Sequence, residues 1–118
     1  MTPMLETDDL RQTIAFYTDL LGFEILGIYP DEENPVWTSF GRDDVRVMFT
    51  VRNAHSTVAK PTMTGSLYFR PDNVDEVWEL VRERATVEYP IENFEYGMRE
   101  FAIYDNNGYL LQFGQEIE

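Results

Sequence analysis

The chain has 118 residues, with 22 Asp or Glu against nine Lys or Arg, and its net charge is −13. This length fits one domain with a real core, and 43% hydrophobic residues exclude a disordered chain. The acidity argues against nucleic acid and anionic membranes as partners, since phosphate groups would be repelled. The sequence has no cysteine, no apolar run long enough to cross a bilayer and no signal-peptide pattern. We therefore predict a cytoplasmic protein.

The first half of the sequence predicts one strand, one helix and three further strands. Asp9 is a favourable helix N-cap with Gln12 three residues later, and Gly22 is suited to end the helix. Between them, apolar residues recur at helical spacing. The predicted strands are Met4–Thr7, Phe23–Tyr29, Val36–Phe40 and Val45–Val51, with an acidic loop from Pro30 to Pro35.

The second half repeats this order. Asn73 is the predicted N-cap of a second apolar-striped helix, with Glu76 three residues later. The predicted strands are Ser66–Phe69, Thr86–Tyr89, Arg99–Tyr104 and Tyr109–Gly114, with a loop from Pro90 to Tyr96. Such a repeat indicates one domain, 1–118, built from a module at about 1–53, a connector at 54–64 and a module at about 65–118.

Two stretches of the sequence resemble the vicinal oxygen chelate superfamily, which includes glyoxalase I, bleomycin resistance proteins and extradiol dioxygenases. The first runs from Asp9-Leu10 to Leu21-Gly22-Phe23-Glu24, and the second from Gly97 to Phe113. The resemblance implies an α+β fold of two tandem βαβββ modules. Their curved mixed sheets would form a concave cleft, with one helix per module on the outside. It also implies a homodimer.

Metal-using members of that superfamily carry His or Glu at four strand positions. The resemblance places these positions at Thr2, Phe49, Ser66 and Gln112, and none of the four is His, Asp or Glu. A divalent ion needs nitrogen or oxygen donors that converge on one point. We therefore predict no metal, no other cofactor and no catalytic residues.

Strand alternation predicts which side chains face the cleft. In the second module Leu67, Phe69, Leu111 and Phe113 would face the helix, whereas Tyr68 and Gln112 would face the cleft. In the first module we expect Val47, Phe49 and Val51 on the cleft side. Glu100 alternates with Phe101 and Ile103, which places it on the cleft side as well.

Without a metal site, the sequence most resembles the bleomycin-resistance-like branch, whose members bind a drug without transforming it. This implies a small-molecule partner that is aromatic and cationic, held by aromatic rings and acidic groups. The candidate ligand-binding residues are Trp37, Phe49, Tyr68, Tyr96, Glu100, Tyr104 and Gln112. Core packing is the alternative for Trp37 and Phe49. Two other functions stay open: a metal-dependent lyase or dioxygenase, and a non-catalytic interaction module with a filled cleft.

Overall fold

The computed structural model describes residues 1–53 and 55–118. The chain forms two compact units, Met1–Thr62 and Met63–Glu118. Each unit has one four-stranded mixed sheet and follows the order strand, helix and three strands. This confirms the predicted α+β fold of two tandem βαβββ modules. Residue 54 of the predicted connector lies outside the described residues, and the single domain stays a prediction.

The first unit has the strand order β1-β4-β3-β2, in which only the β1–β4 pair is parallel. Its elements are β1 (Met4–Thr7), α1 (Leu10–Ala15), β2 (Glu24–Tyr29), β3 (Trp37–Arg42) and β4 (Val45–Val51). The Asp9 carboxylate caps α1 by accepting from the backbone N–H of Gln12 at 3.1 Å, as predicted. From Phe16 to Leu20 the chain continues as a π-helix, which the sequence did not predict. Gly22, at φ +73°, ends the helical segment.

The core of the first unit is an aromatic cluster between the helical segment and the sheet. The ring of Tyr17 lies 5.0 Å from that of Phe49 and 5.5 Å from that of Phe40, and all three residues are fully buried. Val47 is buried on the same side of β4. The prediction that Val47 and Phe49 face away from the helix is therefore wrong. Alternating apolar residues in a sheet covered on one face point to that covered face, because apolar surface is removed from water there.

The second unit repeats this topology, with the order β5-β8-β7-β6 and a parallel β5–β8 pair. Its elements are β5 (Leu67–Phe69), α2 (Val74–Val81), β6 (Thr86–Asn93), β7 (Met98–Tyr104) and β8 (Leu110–Glu116). The Asn73 side chain caps α2 by accepting from the backbone N–H of Glu76 at 3.3 Å. The loop predicted to begin at Pro90 begins after Asn93 instead. Because β6 is an edge strand, the missing N–H of proline removes no necessary ladder bond.

Aromatic side chains fill the space between α2 and its sheet. The ring of Phe101 lies 5.1 Å from Trp78 of α2 and 5.0 Å from Phe113, which in turn stacks on Phe69 at 4.9 Å. Leu111 is also fully buried. The predicted helix-facing side of β5 and β8 is thus confirmed for Phe69 and Phe113. Across residues 1–53 and 55–118, no helix is long and apolar enough to span a membrane.

Candidate ligand-binding site

A buried glutamate lies on the face of the second sheet opposite α2. Glu100 belongs to β7 and is only 3% exposed, while its neighbour Phe101 points to the helix. Isolated carboxylates are seldom buried, because removing the charge from water is costly unless hydrogen bonds compensate. The burial of Glu100 therefore requires hydrogen-bond donors around its carboxyl group.

Three tyrosine hydroxyls donate to the Glu100 carboxylate. Tyr68, from β5, donates to Oε1 at 2.6 Å. Tyr89, from β6, and Tyr96, from the loop between β6 and β7, both donate to Oε2, Tyr96 at 2.9 Å. We call Tyr68, Tyr89, Tyr96 and Glu100 the tyrosine–glutamate cluster. A carboxylate only accepts hydrogen bonds and each phenol can donate one, so the three hydroxyls can compensate for burying a negative charge at this position.

Two further side chains extend the cluster, one on β8 and one immediately before β5. The Gln112 amide donates to the Tyr89 hydroxyl at 3.0 Å. The Ser66 hydroxyl donates in turn to Gln112 Oε1 at 2.5 Å. The chain of donors thus runs from Ser66 through Gln112 and Tyr89 to Glu100. Such a network fixes the orientation of each polar group on this face.

The same contacts shift the ionisation of the phenols. Burial, and then the hydrogen bond to Glu100, raise the pKa of Tyr89 to about 12, although the Gln112 hydrogen bond acts in the opposite direction. The pKa of Tyr68 is raised for the same two leading reasons, and that of Tyr96 is raised as well. The three hydroxyls therefore stay protonated at neutral pH and remain hydrogen-bond donors.

These shifts predict a loss of stability in alkali. A phenol whose pKa is higher in the folded than in the unfolded chain stabilises the fold fully below about pH 10, the ordinary tyrosine value. For Tyr89 this stabilisation is lost as the pH rises from about 10 through about 12. We expect the free energy of unfolding, measured with urea, to fall over this range. Tyr89→Phe should make the fall shallower, whereas Tyr29→Phe, at an exposed tyrosine of the first unit, should not. Equal slopes in all three proteins would contradict the expectation.

The structure brings together four of the seven predicted ligand-binding residues: Tyr68, Tyr96, Glu100 and Gln112. Phe49 is not among them, because its ring lies in the core of the first unit. Trp37 is a half-buried residue of β3, also in the first unit. Tyr104 is on β7 but donates to Glu88, not to Glu100.

Sequence reasoning missed Tyr89. The pairing of β6 with β7 shifts register on both sides of this residue, between Val87 and Tyr89 and between Tyr89 and Glu92. These irregularities place Tyr89 opposite Ala102, on the face of Glu100. An alternation count along β6 cannot foresee such a shift, because a one-residue slip exchanges the two faces of a strand. Pro90 was the one sequence signal of this irregularity, since proline within a strand is typical of edge strands and bulges.

The sequence matches one protein-family model over residues 3–113, that of the Glyoxalase/Bleomycin resistance protein/Dioxygenase superfamily. The chain belongs to this superfamily. No curated protein matches the chain.

Several solved structures have a similar fold. A protein of unknown function from Agrobacterium tumefaciens str. C58 has a TM-score of 0.81 at 19% identity, covering 98% of this chain and 92% of the other. TioX from Micromonospora sp. ML1 has a TM-score of 0.79 at 18% identity, covering 98% of both chains. TnmS3, an antibiotic binding protein from Streptomyces sp. CB03234, has a TM-score of 0.74 at 20% identity, covering 99% and 96%. At these identities the similarity shows the fold.

The residues at the four metal positions that the resemblance implies do not suit a metal ion, since Thr2, Ser66 and Gln112 are neutral and Phe49 has no donor atom. The side chain of Phe49 is buried in the core, and Ser66 and Gln112 hydrogen-bond to each other. The other face of β4 offers Met48 and Thr50, which are neutral. Within the described residues, no group of three or more His, Cys, Asp or Glu could hold a metal. The nitrogen, sulfur and carboxylate donors that such ions usually require are therefore not gathered at one point among the described residues.

Proposed function

We propose that this protein binds and sequesters a small aromatic ligand with a positive charge, at the tyrosine–glutamate cluster and without metal chemistry. One observation carries the proposal: the buried carboxylate of Glu100 is surrounded by phenols whose rings are partly open to solvent. Tyr68 is 43% and Tyr96 is 58% exposed, although their hydroxyls point to Glu100. The accessible surface of the site is thus aromatic, with a negative charge beneath it.

Such a surface has two ways to attract an aromatic cation. The exposed ring of Tyr96 stacks on Phe94, with centroids 5.3 Å apart, and this pair can receive a planar ring or a cation on its free face. Within the described residues, Oε1 of Glu100 has one hydrogen-bond donor and Oε2 has two. A carboxylate oxygen can accept two hydrogen bonds, so a ligand N–H would donate to Oε1.

Long-range charge and the solved structures support the same proposal. A net charge of −13 attracts cations over distances of about a Debye length and speeds their capture. TnmS3, which shares the fold, is an antibiotic binding protein. Loss of the superfamily's metal donors favours binding over metal-dependent lyase or dioxygenase chemistry. We further propose that the protein is cytoplasmic and forms a homodimer. A monomer at micromolar concentration in sedimentation velocity would contradict the homodimer.

Calorimetry with two defined probes tests the function: metal-free bleomycin and proflavine, a planar aromatic cation. We expect both to bind, and the association rate in stopped-flow measurements to fall as salt rises. Acridone, an uncharged ring system of similar shape, should bind more weakly. Mass spectrometry should recover the bound probe unchanged.

Two outcomes would overturn the proposal. If neither probe binds, the cluster only stabilises the fold, and a non-catalytic interaction module becomes the favoured function in place of ligand binding. If elemental analysis finds one metal ion per chain and the metal-loaded protein transforms a substrate, the enzyme alternative replaces it.

A further inference from the structure

The Tyr68 phenol crosses a neighbouring strand to reach Glu100. Tyr68 pairs with Gln112 of β8, and Glu100 of β7 pairs with Gly114 of the same strand. Because β8 lies between β5 and β7, the Tyr68 hydroxyl must pass over β8 beside Gly114 before it can donate to Oε1 at 2.6 Å. The contact therefore depends on what occupies position 114.

No side chain other than hydrogen fits there without displacing Tyr68. A β carbon on Gly114 would lie 2.8 Å from Cζ of Tyr68 and closer still to its hydroxyl oxygen. Carbon atoms in van der Waals contact are about 3.5–4.0 Å apart. The backbone itself does not require glycine, since Gly114 is not among the residues with positive φ. The glycine therefore serves to leave space for the phenol.

We propose that Gly114 is a positioning residue, which keeps open the path by which Tyr68 donates to Oε1 of Glu100. An alanine at this position moves the phenol away and leaves Oε1 without that donor. The inference concerns the site of the proposed function, and its consequence for ligand binding rests on that function. The Tyr68–Glu100 contact itself can be tested without any ligand.

The direct test is Gly114→Ala, with Gly65→Ala as the matched control. Both changes add one methyl group to a glycine without positive φ, but nothing lies within 4 Å of a β carbon at Gly65. The readout is the ionisation of tyrosine, followed by phenolate absorbance as the pH rises. Glu100, Tyr89 and Tyr96 are the titratable groups facing Tyr68, and all raise its pKa.

We expect Tyr68 in Gly114→Ala to ionise at lower pH than in the wild type, within the pH range in which circular dichroism shows both proteins folded, once the phenol leaves the carboxylate. The protein has seven tyrosines, so the titration is repeated in the Tyr68→Phe background. In the Tyr68→Phe background, Gly114→Ala should alter the tyrosine titration curve much less than it does in the wild type. Gly65→Ala should match the wild type. An unchanged titration in a folded Gly114→Ala protein would overturn the inference.

A double-mutant cycle covers the case in which Gly114→Ala folds poorly. Removing the phenol with Tyr68→Ala removes the clash, so Gly114→Ala should destabilise that background much less than the wild type. Equal destabilisation in both backgrounds would overturn the inference. Calorimetry with proflavine on the same variants reports separately on the proposed function. If the titration shifts but no probe binds even to the wild type, the positioning role stands and the binding function fails.

Discussion

Replacing Glu100 by glutamine is expected to lower the affinity for proflavine by about ten- to a hundredfold. The change removes the buried negative charge and keeps the side-chain shape. A hydrogen bond to a charged group contributes about 1.5–3 kcal/mol, and each 1.4 kcal/mol is a factor of ten. The glutamine amide would also point N–H groups at phenols that donate to Glu100. Calorimetry measures the affinity, and urea unfolding should show a cost of about 1–3 kcal/mol.

The matched control for this prediction is Glu95→Gln. It makes the same change of charge on the exposed loop that carries Tyr96. We expect it to alter proflavine affinity little, because exposed charges are screened and contribute weakly. Acridone, which has an N–H but no charge, should lose less affinity than proflavine in Glu100→Gln. If both glutamine variants weaken proflavine binding equally, Glu100 acts only through net charge, and the cluster is not the binding site.

Phe49→Ala is expected to destabilise the protein by about 3–5 kcal/mol, the usual cost of deleting a buried aromatic ring. Phe49 has no exposed surface and contacts both Tyr17 and Phe40, so the variant would leave a cavity beside the helical segment. This cost is a large part of the free energy of unfolding of a typical domain, which is about 5–15 kcal/mol. Urea or thermal unfolding measures the effect.

Two comparisons separate core packing by Phe49 from the ligand role that the sequence suggested. Ile25→Ala removes an apolar side chain from the same sheet, but Ile25 is 42% exposed and should cost much less. Phe49→Leu keeps an apolar side chain in the core and should bind proflavine like the wild type. A Phe49→Leu protein of wild-type stability that had lost proflavine binding would restore Phe49 to the ligand site.

The sequence by itself determined the order of elements and the repeat. Asp9 and Asn73 cap their helices as predicted, because the signals involved are local: a short polar side chain reaches a backbone N–H three residues away. The sequence also placed Tyr68, Glu100 and Gln112 on one face of the second sheet. Regular alternation along β7 and β8 required no knowledge of other strands.

Only the tertiary structure decided which residues form the site. The position of the helical segment decided which face of β4 is buried. Phe49 lies on that buried face, so it is a core residue and not a ligand candidate. Tyr89 entered the cluster through register shifts between β6 and β7, and Tyr68 reaches Glu100 across β8 only because Gly114 leaves room. These features are contacts between different elements of the fold. Local periodicity carries no information on them, because pairing register and side-chain packing are fixed only when the sheet assembles.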